Sequence, residues 1–182
     1  ERMWRVRAKQ VVLATGALER PLVFANNDRP GVMLAGAISS YVNRYGALPG
    51  RRAVVFGNND AIYTTALDLH EAGSAVRAVV DIRGSSMGTH AQAVRAAGIE
   101  VLSNHVITDV GGRHEVKNVS VMALDEAGDV RGEPRVIECD VVGLSGGFSP
   151  VIHLHAHPGG KTRFDAELGA FVAAESALAE WI

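Results

Sequence analysis

Cysteine is almost missing: Cys139 is the only one in 182 residues, so neither an internal disulfide nor a two-cysteine redox relay can form within the chain. Its neighbours Ile137-Glu138-Cys139-Asp140-Val141 read as a strand entering a core, which predicts a buried structural thiol rather than a reactive one. Charge of one sign is also missing. The 18 Lys and Arg residues face 20 Asp and Glu, with no long run of either, and that excludes the concentrated basic face of a nucleic-acid binder. No apolar run approaches the roughly 20 residues of a membrane span. The opening Glu1-Arg2-Met3-Trp4 has neither a basic leader nor an apolar signal core. The expectation is a soluble, cytoplasmic protein with no membrane partner. An initiator Met is absent and a strand pattern starts at once, so the chain is read as a piece of a longer protein.

What is present is a hydrophobic content of 47%, enough for a sizeable core in one domain, or one domain plus part of a neighbour. Trp4, Val6 and Ala8 alternate with Arg5, Arg7 and Lys9, the period of a half-exposed strand. Val11 to Ala14 is a short apolar run that predicts a strand buried on both faces. Residues 19–31 are rich in Pro, Asn and Gly and predict a loop. Leu34, Ile38, Tyr41, Val42 and Tyr45 recur at helical spacing, and Gly46, Pro49 and Gly50 stop that helix. Strand 53–57, helix 60–72, strand 76–80, helix 91–97 and strand 99–102 follow, a run that implies parallel strands with right-handed crossovers. From residue 104 the pattern changes. Strands over 104–110, 116–124, 134–139 and 140–144, joined by short Gly-rich turns, predict antiparallel pairs. Phe164 and Phe171-Val172 read as small strands, and residues 173–182 favour helix on propensity. The fold class is α/β: a Rossmann-like parallel sheet with flanking helices and an antiparallel β-meander insertion, plus part of a neighbouring dinucleotide-binding domain.

Strand, tight turn, helix, strand and terminal acid, from Gly57 to Asp81, is the layout of a dinucleotide site. Such a site needs a turn that lets a pyrophosphate approach helix N–H groups, and an acid to grip a ribose hydroxyl. An acid at Asp81 favours NAD over NADP. The glycine fingerprint keeps only its first member, Gly57. Asn59 holds the second position, where a Cβ narrows the approach to phosphate, and Ile62 the third, where a small residue lets helix and strand pack closely. Asp60 adds negative charge where an anion would sit, while the Asn residues tolerate a left-handed turn. Two readings stay open. Gly57, Asn58, Asn59, Asp60 and Asp81 form a working nucleotide site, or the fold is kept with its crevice empty or altered and Asp81 is an ordinary exposed acid.

Thr15-Gly16, after Val11-Val12-Leu13-Ala14, is a second cofactor signal, because a glycine permits close approach and a threonine offers a hydroxyl. His153, His155 and His157 alternate and on an extended strand would share a face open to a metal. No acid or cysteine flanks them, and a polar loop without metal is the expectation. Ser145 lacks the preceding Gly-x of a hydrolase elbow, and no nucleophile–base set is legible, so no catalytic residue is assigned.

Three stretches, Val11 to Phe24, Asn26 to Ala37 and Asn43-Arg44-Tyr45-Gly46, together with Pro49-Gly50-Arg51-Arg52-Ala53-Val54-Val55-Phe56 and Asn58-Asn59-Asp60, resemble the alpha subunit of heterotetrameric sarcosine oxidase. Ser145-Gly146-Gly147-Phe148-Ser149-Pro150-Val151-Ile152-His153-Leu154, Gly159-Gly160-Lys161 and Phe164 to Val172 extend the resemblance. The Asn-Asn-Asp turn and the Asp28-Arg29-Pro30-Gly31 loop are its specific parts. The resemblance implies an assembly that oxidatively demethylates sarcosine, with FAD and FMN in the complex, tetrahydrofolate as one-carbon acceptor and NAD in the intact subunit. It implies other subunits of a hetero-oligomeric oxidase as partners. It also makes Gly146 and Gly147 cofactor-contacting and places Thr15 and Gly16 beside NAD. In domain terms, residues 1–48 would trail a first dinucleotide domain. Residues 49–145 would form a second one with its meander, and 146–182 would return toward the first. Opine dehydrogenases and cyanide synthases have related subunits and supply the alternative substrate classes, and a vestigial scaffold domain is the non-binding alternative.

Overall fold

The computed structural model describes residues 2–84 and 88–174. In chain order the regular elements begin with β1 (Ala17–Glu19), β2 (Val32–Leu34) and α1 (Ala35–Tyr45). The strand–helix alternation follows as β3 (Arg52–Gly57), α2 (Ala61–Glu71), β4 (Ala75–Asp81), α3 (Thr89–Ala96) and β5 (Val101–Ser103). Next come β6 (His105–Gly111), β7 (Asn118–Leu124), β8 (Val130–Glu138) and β9 (Val141–Ser145). The last described elements are β10 (Phe148–Pro150), the one-turn α4 (His153–Ala156), β11 (Thr162–Asp165) and β12 (Ala170–Ala173). From residue 175 on, the helix expected over 173–182 falls outside the described residues.

Two compact units emerge: Glu19–Gly147, and the residues up to Leu18 together with those from Phe148 onward. The first is built on a five-stranded parallel sheet in the order β2-β9-β3-β4-β5. Its central strands are contiguous apolar runs because both faces are covered. On one face Val55, Val79 and Val141 pack against Ile38 of α1, Ile62 and Leu69 of α2 and Val94 of α3. On the other, Val54, Phe56, Val80, Val142 and Leu144 pack against Ile107 and Val110 of β6, Val119 and Val121 of β7 and Ile137 of β8. Burying a side chain of this kind contributes about 1.5–3 kcal/mol by removing it from water. The antiparallel meander β6-β7-β8 is therefore one of three layers, stacked on the sheet face opposite the helices. α1 ends at Gly46, whose φ of 60° lets its N–H reach the Val42 carbonyl while the next N–H reaches Tyr41, a left-handed glycine stop.

Two expectations are corrected by the structure. Residues 140–144 do not extend the antiparallel set. After Cys139 the chain leaves the meander and β9 inserts, parallel, between β2 and β3. Short spacing from β8 suggested a hairpin, but the link at Cys139–Asp140 changes sheet rather than direction within one: Cys139 N–H still bonds the Lys117 carbonyl and Asp140 N–H already bonds that of Arg52. Secondly, residues 2–14 form no strand, and Trp4, Val6, Val11 and Val12 stand exposed. Alternation marks a strand only where an edge is available to pair with it, and no described strand pairs here. The compact unit that holds this sheet runs from Glu19 to Gly147 and takes in β2 and α1.

In the other unit β1 pairs with β10, and β11 with β12 as an antiparallel hairpin that stacks Phe164 on Phe171 edge to face. This hairpin occupies the two short strands read from Phe164 and Phe171-Val172.

Cys139 is fully buried. Burial, aided by the negative charge of Asp140, pushes its thiol up from 9.0 to about 12. The folded state then keeps a proton that the unfolded chain releases, so this group's contribution to stability falls as pH rises between about 9 and about 12. At pH 8 a thiol reagent is expected to leave the native protein unlabelled and to label one thiol per chain in denaturant. Prompt native labelling would show Cys139 accessible.

Candidate functional site

The carboxyl ends of β3, β4 and β9 meet the N-terminus of α2, the place where open α/β sheets bind ligands. Gly57 closes β3 there. A Cβ at this position would run into the Ser145 carbonyl oxygen of β9 and lie 2.6 Å from the Ile62 methyl of α2. The surviving glycine of the fingerprint is thus required by strand–strand and strand–helix contact. The Asn58 N–H bonds the Ser145 carbonyl at 3.2 Å and its side-chain amide reaches the Gly146 carbonyl at 3.4 Å. Asn59 turns inward. Its amide donates to Ser145 Oγ at 2.9 Å and to the Ser145 carbonyl at 3.2 Å, and its Oδ1 accepts the Ala61 N–H at 3.0 Å. The Tyr63 and Thr64 N–H groups bond the Asp60 carbonyl. Four N–H groups of the turn and first helical turn are thereby engaged within the chain.

At the tip of β4, Asp81 is not an exposed acid: it is completely buried. Tyr63 Oη donates to its Oδ2 at 2.6 Å. The Arg83 backbone N–H and Nε donate to Oδ1 at 2.9 and 3.0 Å, and Arg83 Nη2 donates to Oδ2 at 2.9 Å. Residues two apart at the end of a strand share a face, which is how the guanidinium folds back on the carboxylate. The same Nη2 lies 2.8 Å from Asp60 Oδ1, so Arg83 bridges the acid at the head of α2 and the acid at the end of β4. Hydrogen bonding to Asp81 first, then to Asp60, holds the guanidinium even more firmly charged than an ordinary arginine.

Gly146 and Gly147 lie beyond β9, against residues 20–22. The Gly146 N–H bonds the Arg20 carbonyl and the Arg20 N–H bonds the Gly147 carbonyl, both at 2.8 Å. A Cβ at Gly146 would sit 2.9 Å from the Pro21 carbonyl oxygen and one at Gly147 2.7 Å from an Arg20 guanidinium nitrogen. Next along, the Glu19 carboxylate accepts the Gly36 N–H at 2.8 Å at the head of α1. In the other unit the Thr15 hydroxyl donates to the Val151 carbonyl at 2.6 Å, and the Val151 N–H bonds the Gly16 carbonyl at 2.9 Å. Gly16 has φ 67° and open space where a Cβ would project, so conformation rather than crowding calls for glycine there. His153 and His155 lie in α4 rather than on an extended strand, and His155 Nε2 contacts the Lys161 carbonyl at 2.9 Å. The shared face needed for three imidazoles is not formed.

Gly57, Asn58, Asn59, Asp60 and Asp81 are brought together, with Gly146 adjacent. Thr15 and Gly16 belong to the other unit. As they stand, the residues of the turn do not fit a bound dinucleotide: amides that a pyrophosphate would use and the carboxylate that a ribose would use are held by Asn59, Tyr63 and Arg83. Sequence reading missed Arg83, Tyr63 and Ser145. The first had a signal, a cation two residues past a strand-terminal acid. Tyr63 and Ser145 had none, because each meets its partner only through tertiary packing.

No protein-family model matches the chain. It is 47% identical over 174 residues to the sarcosine oxidase alpha subunit of Corynebacterium sp. strain P-1, covering 94% of this chain and 18% of that protein. It is 43% identical to the Rhizobium meliloti counterpart, over 95% of this chain and 16% of that protein. An opine oxidase subunit from Agrobacterium tumefaciens is 30% identical, over 91% of this chain and 35% of its own length. The chain thus spans less than one-fifth of the sarcosine oxidase subunits that it matches. Among solved structures, the thioredoxin reductase of T. acidophilum superposes with a TM-score of 0.65 at 16% identity, covering 91% of this chain and 58% of that one. L-proline dehydrogenase of P. horikoshii gives 0.57 at 22%, covering 93% and 27%. The fold is therefore that of the dinucleotide-binding oxidoreductases, and along nearly its whole length the chain is homologous to a segment of the sarcosine oxidase alpha subunit.

Proposed function

We propose that this chain is the dinucleotide-domain core of an alpha-type subunit in a cytoplasmic, hetero-oligomeric oxidase that demethylates sarcosine. The observation that carries this reading is the 43–47% identity to sarcosine oxidase alpha subunits over 94–97% of the chain. The reading gives this segment a structural contribution, supported by a parallel sheet that is packed on one face by helices and on the other by the meander. In such an enzyme a bound flavin, FAD or FMN, would accept the electrons of the N-methyl oxidation and tetrahydrofolate would take the one-carbon unit, and the reading assigns neither to residues of this segment. The subunit's NAD is assigned to the side of Thr15 and Gly16, where the glycine leaves its surroundings open, in preference to the turn at Gly57.

A related reading is an opine-oxidising enzyme, favoured by the 30% identity to an opine oxidase subunit. Oxygen uptake by the intact enzyme, purified with its companion subunits, separates the two. Sarcosine is expected to be consumed faster than any opine or other small secondary amine. Uptake with an opine and none with sarcosine would move the protein to the second class.

A further inference from the structure

We propose that the crevice at the carboxyl edge of the parallel sheet is filled by the chain's own groups, with Arg83 standing for the ribose against Asp81 and with Asn59 and Glu19 standing for the anion at the heads of α2 and α1, so that it takes no nucleotide. A dinucleotide held at a β-turn-α-β unit needs three things: helix N–H groups aimed at the pyrophosphate, an acid free to accept ribose hydroxyls, and room over the first turn. The first two are withdrawn by named contacts. The Ala61 N–H is given to Asn59 Oδ1, and the Gly36 N–H at the neighbouring helix is given to the Glu19 carboxylate. Asp81 is fully buried and accepts from Tyr63 Oη and from three Arg83 nitrogens. A ribose hydroxyl would have to displace the guanidinium that pairs with this buried carboxylate, an exchange that loses energy because it leaves a buried charge without its counter-charge.

Charge also disfavours phosphate. Asp60, Asp81 and Arg83 form a triad linked at 2.8 and 2.9 Å, and two carboxylates against one guanidinium leave it net negative. An incoming pyrophosphate would meet that net charge at the head of α2, where the Asp60 side chain is more than half exposed. A 2′-phosphate gains nothing from Arg83, whose charge is already spent on two acids. The contacts also explain why a fingerprint with one glycine left still keeps its turn. Asn59 and Ser145 hold together what a ligand would otherwise organise.

All of these contacts lie within Glu19–Gly147, so a change of substrate would leave them untouched. Hydrogen–deuterium exchange of the purified protein is the test, with NAD, NADP or AMP added at millimolar concentration and peptides over 57–64 and 80–84 followed. Their exchange rates, referred to the meander peptide 118–124, are expected to stay within about twofold of the nucleotide-free value. Slowing beyond that by any of the three nucleotides overturns the proposal. The double variant N59G/R83A removes two of the internal ligands, and NAD is expected to slow exchange at the same peptides in it. A folded double variant that still ignores NAD would overturn the roles given to Asn59 and Arg83. If it does not fold, the wild-type comparison alone decides.

Discussion

Gly57→Ala should lower stability by about 3 kcal/mol, the upper end of what overpacking a close contact costs, and so depress the melting temperature by about 6–12 °C for a chain of this size. The added methyl has no free direction. The Ser145 carbonyl of β9 blocks one side, and the Ile62 methyl at 2.6 Å blocks the other. Relief would require β3 and β9 to separate at the centre of the sheet, or α2 to lift from it. Either motion disturbs the Asn58 and Ile82 N–H bonds to the Ser145 and Gly57 carbonyls. Gly73→Ala is the control. Gly73 has φ 89° with nothing within 4 Å of where its Cβ would stand, so the alanine meets only conformational strain of about 1–2 kcal/mol. Thermal unfolding of the two variants compares crowding with strain. Equal losses would mean that Gly57 is not held by contact.

The same glycine shows how far the fold was legible. The run Ala53-Val54-Val55-Phe56 ending in Gly57, the helix stopped by Gly73 and the second strand ending in Asp81 are local signals, since burial on both faces leaves an unbroken apolar run. The structure places all three within one or two residues of their predicted bounds. β9 is equally apolar, but which strands it joins depends on residues far away in sequence: Val142 lies beside Val54 on one side and Val32 on the other. No periodicity encodes such pairing. Gly143 belongs to the same lesson. A Cβ there would lie 3.0 Å from the Ile38 methyl of α1, a contact created only once both elements lie on the sheet.

The site was legible as a place and not as a state. Strand, turn, helix and terminal acid located the crevice edge. What occupies it was written in residues that sequence pattern treats as neutral: an arginine after a strand, a tyrosine within an amphipathic helix, a serine at a strand end. Asn59 is the sharpest case. Read as a glycine replacement it implies lost affinity. In the fold its amide bridges Ser145 and the first N–H of α2, so the substitution supplies a polar link as well as removing space.

Arg83→Ala should be the other large effect, about 3–5 kcal/mol, the loss that follows when one partner of a buried charge pair is removed and the other is left behind. Asp81 is the buried member. Without the guanidinium it keeps Tyr63 Oη and the backbone N–H of residue 83 as its donors among the described residues. Tyr63→Phe removes a single hydrogen bond to the same carboxylate and should cost about 1.5–3 kcal/mol. Because both variants act on one acceptor, the double variant should depart from the sum of the two by about 0.5–3 kcal/mol. Asp60→Asn supplies the contrast. Asp60 pairs with the same Arg83 nitrogen at 2.8 Å but has a side chain 57% exposed, and exposed pairs are worth about 1 kcal/mol or less. Urea denaturation of the four proteins therefore ranks the bonds by burial rather than by distance. Were Arg83→Ala to cost no more than Asp60→Asn, the guanidinium would be an ornament on the surface, and Asp81 would be stabilised by its other donors alone.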